Sequence, residues 1–261
     1  MKRNLVIGDI HGNHKGLVQV LERCGFDNNN DTLISLGDVV DGHSESFEVV
    51  EELLKIKNLV AVKGNHDDWF NTWLETGDNP SNWQQGQKAT GLSYLNHSRP
   101  GTSWYGLQFT PGGGEHFTES IRTNDISDSH IEFFKNQIPY YIDDKNNLFI
   151  HGGFDRNYKL EEQSEFNFWW DRDLWKQALS FESGRKPGDK FNMVEDFNEI
   201  YIGHTSTQFW KKDEPMNAAN IWNLDTGGGW HGKISIMDID TKQFWQSDNG
   251  NILYPEFKGR S

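Results

Sequence analysis
The chain reads as a series of short apolar runs, each closed by a glycine turn. Leu5 to Ile7 leads into Gly8-Asp9-Ile10-His11-Gly12, residues 32–36 lead into Gly37-Asp38-Val39-Val40-Asp41, and residues 59–62 lead into Lys63-Gly64-Asn65-His66-Asp67. Between these runs the apolar positions change period. Leu17, Val18, Val20 and Leu21 fall at helical spacing with Gly25 placed as a left-handed cap, and Phe47, Val50, Leu53 and Leu54 mark the apolar side of a second helix over 45–56. Strand, turn and helix in repetition predict parallel βαβ units, whose loops open together at the sheet edge where ligands bind.

The pattern fades after residue 69. Residues 69–125 are rich in Asn, Gln, Gly and Thr, carry Trp69, Trp73, Trp83 and Trp104, and include Gly112-Gly113-Gly114, a hinge or tight loop with no strand and helix to frame it. We expect an insertion or cap beside the site, within one domain spanning 1–261. A helix is then expected over 129–137, and a hairpin from 140–142 and 148–150 that ends on His151-Gly152-Gly153. Residues 167–179 read as helical in part. Short strands follow at 199–202, which runs into Gly203-His204-Thr205, and at 221–224, 233–239 and 243–246. These predict a second, mainly antiparallel sheet.

Charge and composition narrow the function. Lys and Arg number 25 against 39 Asp and Glu, a net charge of -14 that argues against stable binding to nucleic acid. The lone cysteine, Cys24, excludes an intrachain disulfide and a thiolate zinc site, and reads as a small buried hydrophobe in a reducing compartment. No stretch approaches the length of a membrane span, and Met1-Lys2-Arg3-Asn4 enters the first strand without an apolar leader, so a soluble cytoplasmic protein is expected.

The turns carry the chemistry. Aspartate, histidine and an asparagine carbonyl form a ligand set suited to Mn²⁺, Fe or Zn²⁺. Asp9, His11, Asp38, Asn65, His151 and His204 are too many for one ion; with Asp38 as a bridge they suit two divalent metals. Such a pair generates a hydroxide near neutral pH and steadies an in-line displacement at phosphorus.

In this order, GDIHG, GDVVDG, GNHD, HGG and GHT resemble the signature of the calcineurin-like metallophosphoesterases, over about residues 4–67 and 148–239. Within them the chain is similar to the branch of bacterial and phage serine/threonine protein phosphatases and symmetrical diadenosine tetraphosphate hydrolases. The resemblance implies a four-layer α/β/β/α sandwich with two mixed sheets. It implies Asp9, His11 and Asp38 on one metal and Asp38, Asn65, His151 and His204 on the other, with Mn²⁺ the first choice. It also implies His66 as general acid and Asp41 as the carboxylate that orients it.

One position departs from the pattern. Branch members usually carry Arg-Gly after the second motif's aspartate, whereas this chain reads Asp41-Gly42-His43. His43 is a candidate substitute, and Arg172 resembles the second phosphate-contacting arginine; the alternative for Arg172 is a surface ion pair with Asp171 or Asp173. His231 either lines the pocket or caps a turn. Asp67 and Asp68 read as first-turn helix carboxylates, and Phe168, Trp169, Trp170 and Trp175 as core, the alternative being an aromatic near the mouth that stacks on a nucleobase or phenyl ring.

The first reading is a phosphomonoesterase of the protein-phosphatase type, acting on a phosphorylated protein, a peptide or a small phosphate ester. The alternatives are hydrolysis of a dinucleoside polyphosphate, phosphodiester cleavage, and a binding module without catalysis. Retention of His66 and all six ligands counts against the last.

Overall fold
The computed structural model describes residues 2–258 except 78, 84 and 99–125, within which only the backbone of 107–109 and 115–117 is described. The expected features at Trp104 and Gly112-Gly113-Gly114 lie outside the described residues. The first sheet is built from β1 (Asn4–Ile7), β2 (Thr32–Ser35) and β3 (Asn58–Ala61) in parallel, linked by α1 (His14–Cys24) and α2 (Ser46–Leu53). After it come α3 (Asn65–Thr76), α4 (Gln87–Ser98), the pair β4 (Leu107–Phe109) and β5 (Glu115–Phe117), and α5 (Asp128–Lys135). The second half holds β6 (Tyr140–Ile142), β7 (Leu148–Ile150), α6 (Glu165–Trp170), α7 (Asp173–Gly184), β8 (Ile200–Ile202), β9 (Met216–Ala218) and β10 (Ile221–Asn223). It closes with β11 (Ser235–Asp238), β12 (Phe244–Gln246) and α8 (Gly250–Leu253).

The sheets run in the order β12-β11-β1-β2-β3 and β6-β7-β8-β10-β9. Alternation along each strand assigns the layers. Leu5, Ile7, Leu33 and Ile236 turn outward to a core shared with Leu17, Val50, Phe70 and Phe134 of the helices. Leu148, Ile150, Ile200 and Ile202 turn outward on the opposite side, against Phe168, Leu174 and Trp175. Val6, Ile34, Met237, Phe149 and Tyr201 face inward, where the Phe149 and Tyr201 rings stack at 4.9 Å. Helices, sheet, sheet and helices form the α/β/β/α sandwich.

The second sheet is mixed: β7, β8 and β10 are parallel and only the outer pairs are antiparallel. Strands 233–239 and 243–246 do not join it. β11 instead pairs antiparallel with β1, Leu5 opposite Asp238, and places Ile236 and Met237 in different cores. Burial on both faces gives a strand no polar side from which its partner could be read. The helix expected over 167–179 is broken between Trp170 and Asp173, where Asp171 is extended. Leu54, expected on the apolar side of the second helix, is exposed at its end, and Val49 is buried in its place. Among the described residues no helix is long and apolar enough to cross a membrane.

Candidate metal centre
The loops after β1, β2, β3 and β8 deliver their side chains to one cleft of about 1050 Å³, and His151, on the turn after β7, is fully buried behind it against Asp38. His11 Nε2 lies 3.6 Å from Asp9 Oδ2 and 3.4 Å from Asp38 Oδ2, while His151 Nε2 lies 3.3 Å from Asp38 Oδ2 and 3.1 Å from Asn65 Oδ1. Asp9, His11 and Asp38 form one group able to hold an ion, and Asp38, His151 and His204 another, with Asp38 common to both. The backbone also aims these rings. His11 Nδ1 meets the Val40 carbonyl at 3.0 Å and His151 Nδ1 meets that of Leu36 at 2.8 Å, which turns each Nε2 toward the carboxylates. His204 Nε2 is buried without a hydrogen-bond partner, as a ligand nitrogen would be.

The turns are strained to do this. His11, Asp38, Asp41 and His204 all have positive φ, a conformation that costs free energy and is held only by what surrounds it. Gly64 and Gly203 supply the room, since a Cβ on either would overlap Oδ1 of Asp38 or Asp9.

Buried carboxylates at this separation need positive charge. Burial, then the Asp225 charge, pushes the Asp9 carboxyl well above its ordinary range. Burial acts the same way on Asp38, but the His151, His66 and His11 rings outweigh it and hold that carboxyl well below the range. Burial opposes protonation of His151, yet Asp38 and Asp9 raise it to about 9. His204 is held neutral by burial, with His151 and Arg172 adding to the effect. The charge balance, the neutral His204 and its orphaned nitrogen fit cations at this place.

The remaining candidates divide. His66 Nδ1 is paired with Asp41 Oδ2, and its Nε2 lies 4.0 Å from Asp38 Oδ2 inside the cleft. Arg172 also lines the cleft, where Nη1 donates to the His204 carbonyl at 2.9 Å and to Thr205 Oγ1 at 3.1 Å; Asp173 pairs with Lys176 instead. His43 and His231 are not brought there. His43 is buried between the Tyr254 and Phe257 rings, at 4.4 and 4.3 Å, with Nε2 3.1 Å from the Gly228 carbonyl. His231 is exposed, its ring 5.7 Å from that of Phe257.

A profile of the family described as calcineurin-like phosphoesterase matches residues 2–226. The chain belongs to the calcineurin-like phosphoesterases. It is 24% identical to the symmetrical bis(5'-nucleosyl)-tetraphosphatase of Neisseria meningitidis, over 92% of this chain and 93% of that protein. Serine/threonine-protein phosphatase 1 of Salmonella typhimurium is 40% identical over 62 residues, 24% of this chain and 28% of that one. A solved structure assigned provisionally as a diadenosine tetraphosphatase superposes with a TM-score of 0.62 at 16% identity, over 96% of this chain and 95% of the other, which speaks for the fold.

As a calcineurin-like phosphoesterase the chain is a phosphoric ester hydrolase that uses divalent metals and takes phosphate esters as substrates. Two residues that support its site escaped the sequence reading. Asp67 is fully buried and accepts the backbone N–H groups of Asp38 at 2.8 Å, Val39 at 2.9 Å and Gly64 at 3.1 Å, and the Gln137 amide at 2.9 Å. Nothing in its spacing separates that role from a first-turn helix carboxylate. Asp225 lines the cleft beside Asp9, after a strand and before a glycine run, a local pattern like that of His151-Gly152-Gly153.

Proposed function
We propose that the chain hydrolyses dinucleoside polyphosphates at a two-metal site. The observation that carries this is the rim of the cleft. Phe166, Phe209 and Trp230 line it while 60%, 76% and 40% exposed, and Trp170 lies between Phe166 and His204. Flat apolar rings left in water around a phosphate-binding floor suit bases that stack on them, and a phosphomonoester would leave them unused. The tetraphosphatase relative, matched along nearly its whole length, supports the same reading.

Asp9, His11, Asp38, Asn65, His151 and His204 would hold the cations, with Mn²⁺ the first choice. Bound there, they would supply an activated water and neutralise phosphate charge. Arg172 binds phosphate oxygens from the His204 side. His66 carries a proton on Nε2 toward the leaving oxygen, and Asp41 holds the ring by its Nδ1. The part considered for His43 and His231 in substrate binding is not carried forward, since neither lines the cleft. We read the chain as one domain, with 69–125 as an insertion at the cleft to which Trp69, Asn82 and Gln85 belong.

Phosphoprotein hydrolysis, the first reading of the motifs, stands second on the 62-residue likeness to a protein phosphatase. The test is a comparison of kcat/KM for diadenosine tetraphosphate, a phosphoserine peptide, p-nitrophenyl phosphate and its bis-p-nitrophenyl diester, with Mn²⁺ present. The dinucleotide should lead. Preference for the peptide would restore the first reading.

A further inference from the structure
The insertion does more than border the cleft: it reaches beneath it. Trp83 is fully buried between α3 and α4, and its indole N–H points at Asp41 Oδ2, the oxygen that pairs with His66 Nδ1, at 3.0 Å. The same N–H lies 2.7 Å from the Gln85 carbonyl, so one proton serves the carboxylate and closes the loop that carries it. Three residues on, Gly86 packs so closely on the carboxylate that a Cβ there would overlap Asp41 Oδ1, and its φ of +76 suits glycine. Thr90, buried on α4, then accepts the Asp41 backbone N–H on Oγ1 at 2.8 Å. Trp69 ties the arrangement to the imidazole directly, its ring 4.9 Å from that of His66 and stacked on Trp83 at 6.0 Å.

We propose that Trp83, Gly86 and Thr90 form a clamp that positions Asp41 against His66, with the Trp83 indole N–H as its contact on the carboxylate and Thr90 as its contact on the backbone. The proposal rests on the reading of His66 and Asp41 as the proton-delivering pair. Asp41 has positive φ, so its own loop does not fix it in an easy conformation. A carboxylate that is to hold an imidazole needs donors for its remaining lone pairs, and this segment supplies one. Trp83 touches neither the phosphate site nor the cleft surface, so it is a positioning residue, acting through Asp41.

The test is a double-mutant cycle of Trp83→Phe and Asp41→Asn, run with diadenosine tetraphosphate and p-nitrophenyl phosphate in parallel, with Tm and bound metal measured for every variant. Trp83→Phe should lower kcat about 10-fold, the factor given by one lost hydrogen bond to a charged group, with KM and metal content unchanged. In the Asp41→Asn background the same substitution should change kcat less than about twofold, because its effect passes through the carboxylate. Thr90→Val, which keeps its shape, should also lower kcat alone, and it carries the test should Trp83→Phe not fold. An equal loss in both backgrounds, or an unchanged kcat in folded Trp83→Phe or Thr90→Val, overturns the clamp. An unchanged kcat in Asp41→Asn overturns the underlying reading of the pair instead, as does absence of turnover of both substrates by the wild-type protein.

Discussion

Replacing Asp67 by Asn tests whether two of the turns that line the candidate metal centre are held by one buried carboxylate. Oδ2 takes the N–H groups of Asp38 and Gly64 and the Gln137 amide, and Oδ1 takes that of Val39 at 2.9 Å and, more weakly, that of Val40 at 3.4 Å. An asparagine must turn its carbonyl toward the three donors on Oδ2, so its own NH₂ meets the Val39 N–H. That strands a buried donor pair at about 1–3 kcal/mol, and the three surviving bonds lose charge assistance worth roughly 1 kcal/mol each. Some of this is returned. Burial and the Asp38 charge push the Asp67 carboxyl above its ordinary range, so the ionised form already carries a cost that the amide avoids. The net expectation is a loss of about 3 kcal/mol, or a fall in Tm of roughly 6–12 °C for a chain of this size. Calorimetry on metal-loaded and metal-stripped protein reads it. A fall under about 2 °C in both forms would refute the claim that Asp67 ties the turns together.

Other substitutions separate the parts of the site. His204→Ala should lower bound Mn²⁺, measured by elemental analysis, by about half, because in the proposed two-metal site the second ion would lose a ligand whose nitrogen has no hydrogen-bond partner. Phe209→Ala should raise KM for diadenosine tetraphosphate about 5-fold or more and leave that for p-nitrophenyl phosphate unchanged, since a stacked base contributes about 1–3 kcal/mol. His130, between the Tyr94 hydroxyl at 3.0 Å and Glu51 at 2.8 Å, has its pKa lowered by burial, which outweighs Glu51. The unfolded chain therefore binds its proton first as pH falls, and this contribution to stability is present above about pH 6.5 and lost below it. The slope of Tm between pH 8 and 5 should flatten in His130→Gln.

The candidate ligands were legible because each is local. Asp9, Asp38, Asn65, His151 and His204 all sit on a glycine turn directly after an apolar run, and five such turns in one chain leave little else for them to do. What holds them is not local. Asp67 reaches back 29 residues to the Asp38 N–H, and Trp83 reaches 42 to Asp41, so each shows in the sequence only as an acidic helix start or another tryptophan. The same reason misplaced β11. Its residues announce a strand, but Ile236 and Met237 are buried on opposite faces and name no partner, and pairing with β1 was settled by packing across the whole chain.

Gly42-His43 shows how far such packing shapes chemistry. Where members of the branch, protein phosphatases and tetraphosphate hydrolases alike, usually carry arginine, Gly42 has a φ of +73, and a Cβ there would lie 2.9 Å from the His11 carbonyl and 3.1 Å from that of Gly229. A side chain cannot leave that position toward the phosphate without moving the turn that carries His11. His43 cannot substitute, because Tyr254 and Phe257 enclose its ring and the Gly228 carbonyl engages its Nε2. Among the described residues lining the cleft, Arg172 is then the one permanent side-chain cation. A monoester dianion gains little from neutral walls and exposed rings, whereas a dinucleotide spreads its binding over bases as well as phosphates. Gly42 removes a grip on phosphate for either substrate, so the exposed rings of Phe166, Phe209 and Trp230, not the missing arginine, are the physical case for ranking the dinucleotide above the phosphoprotein.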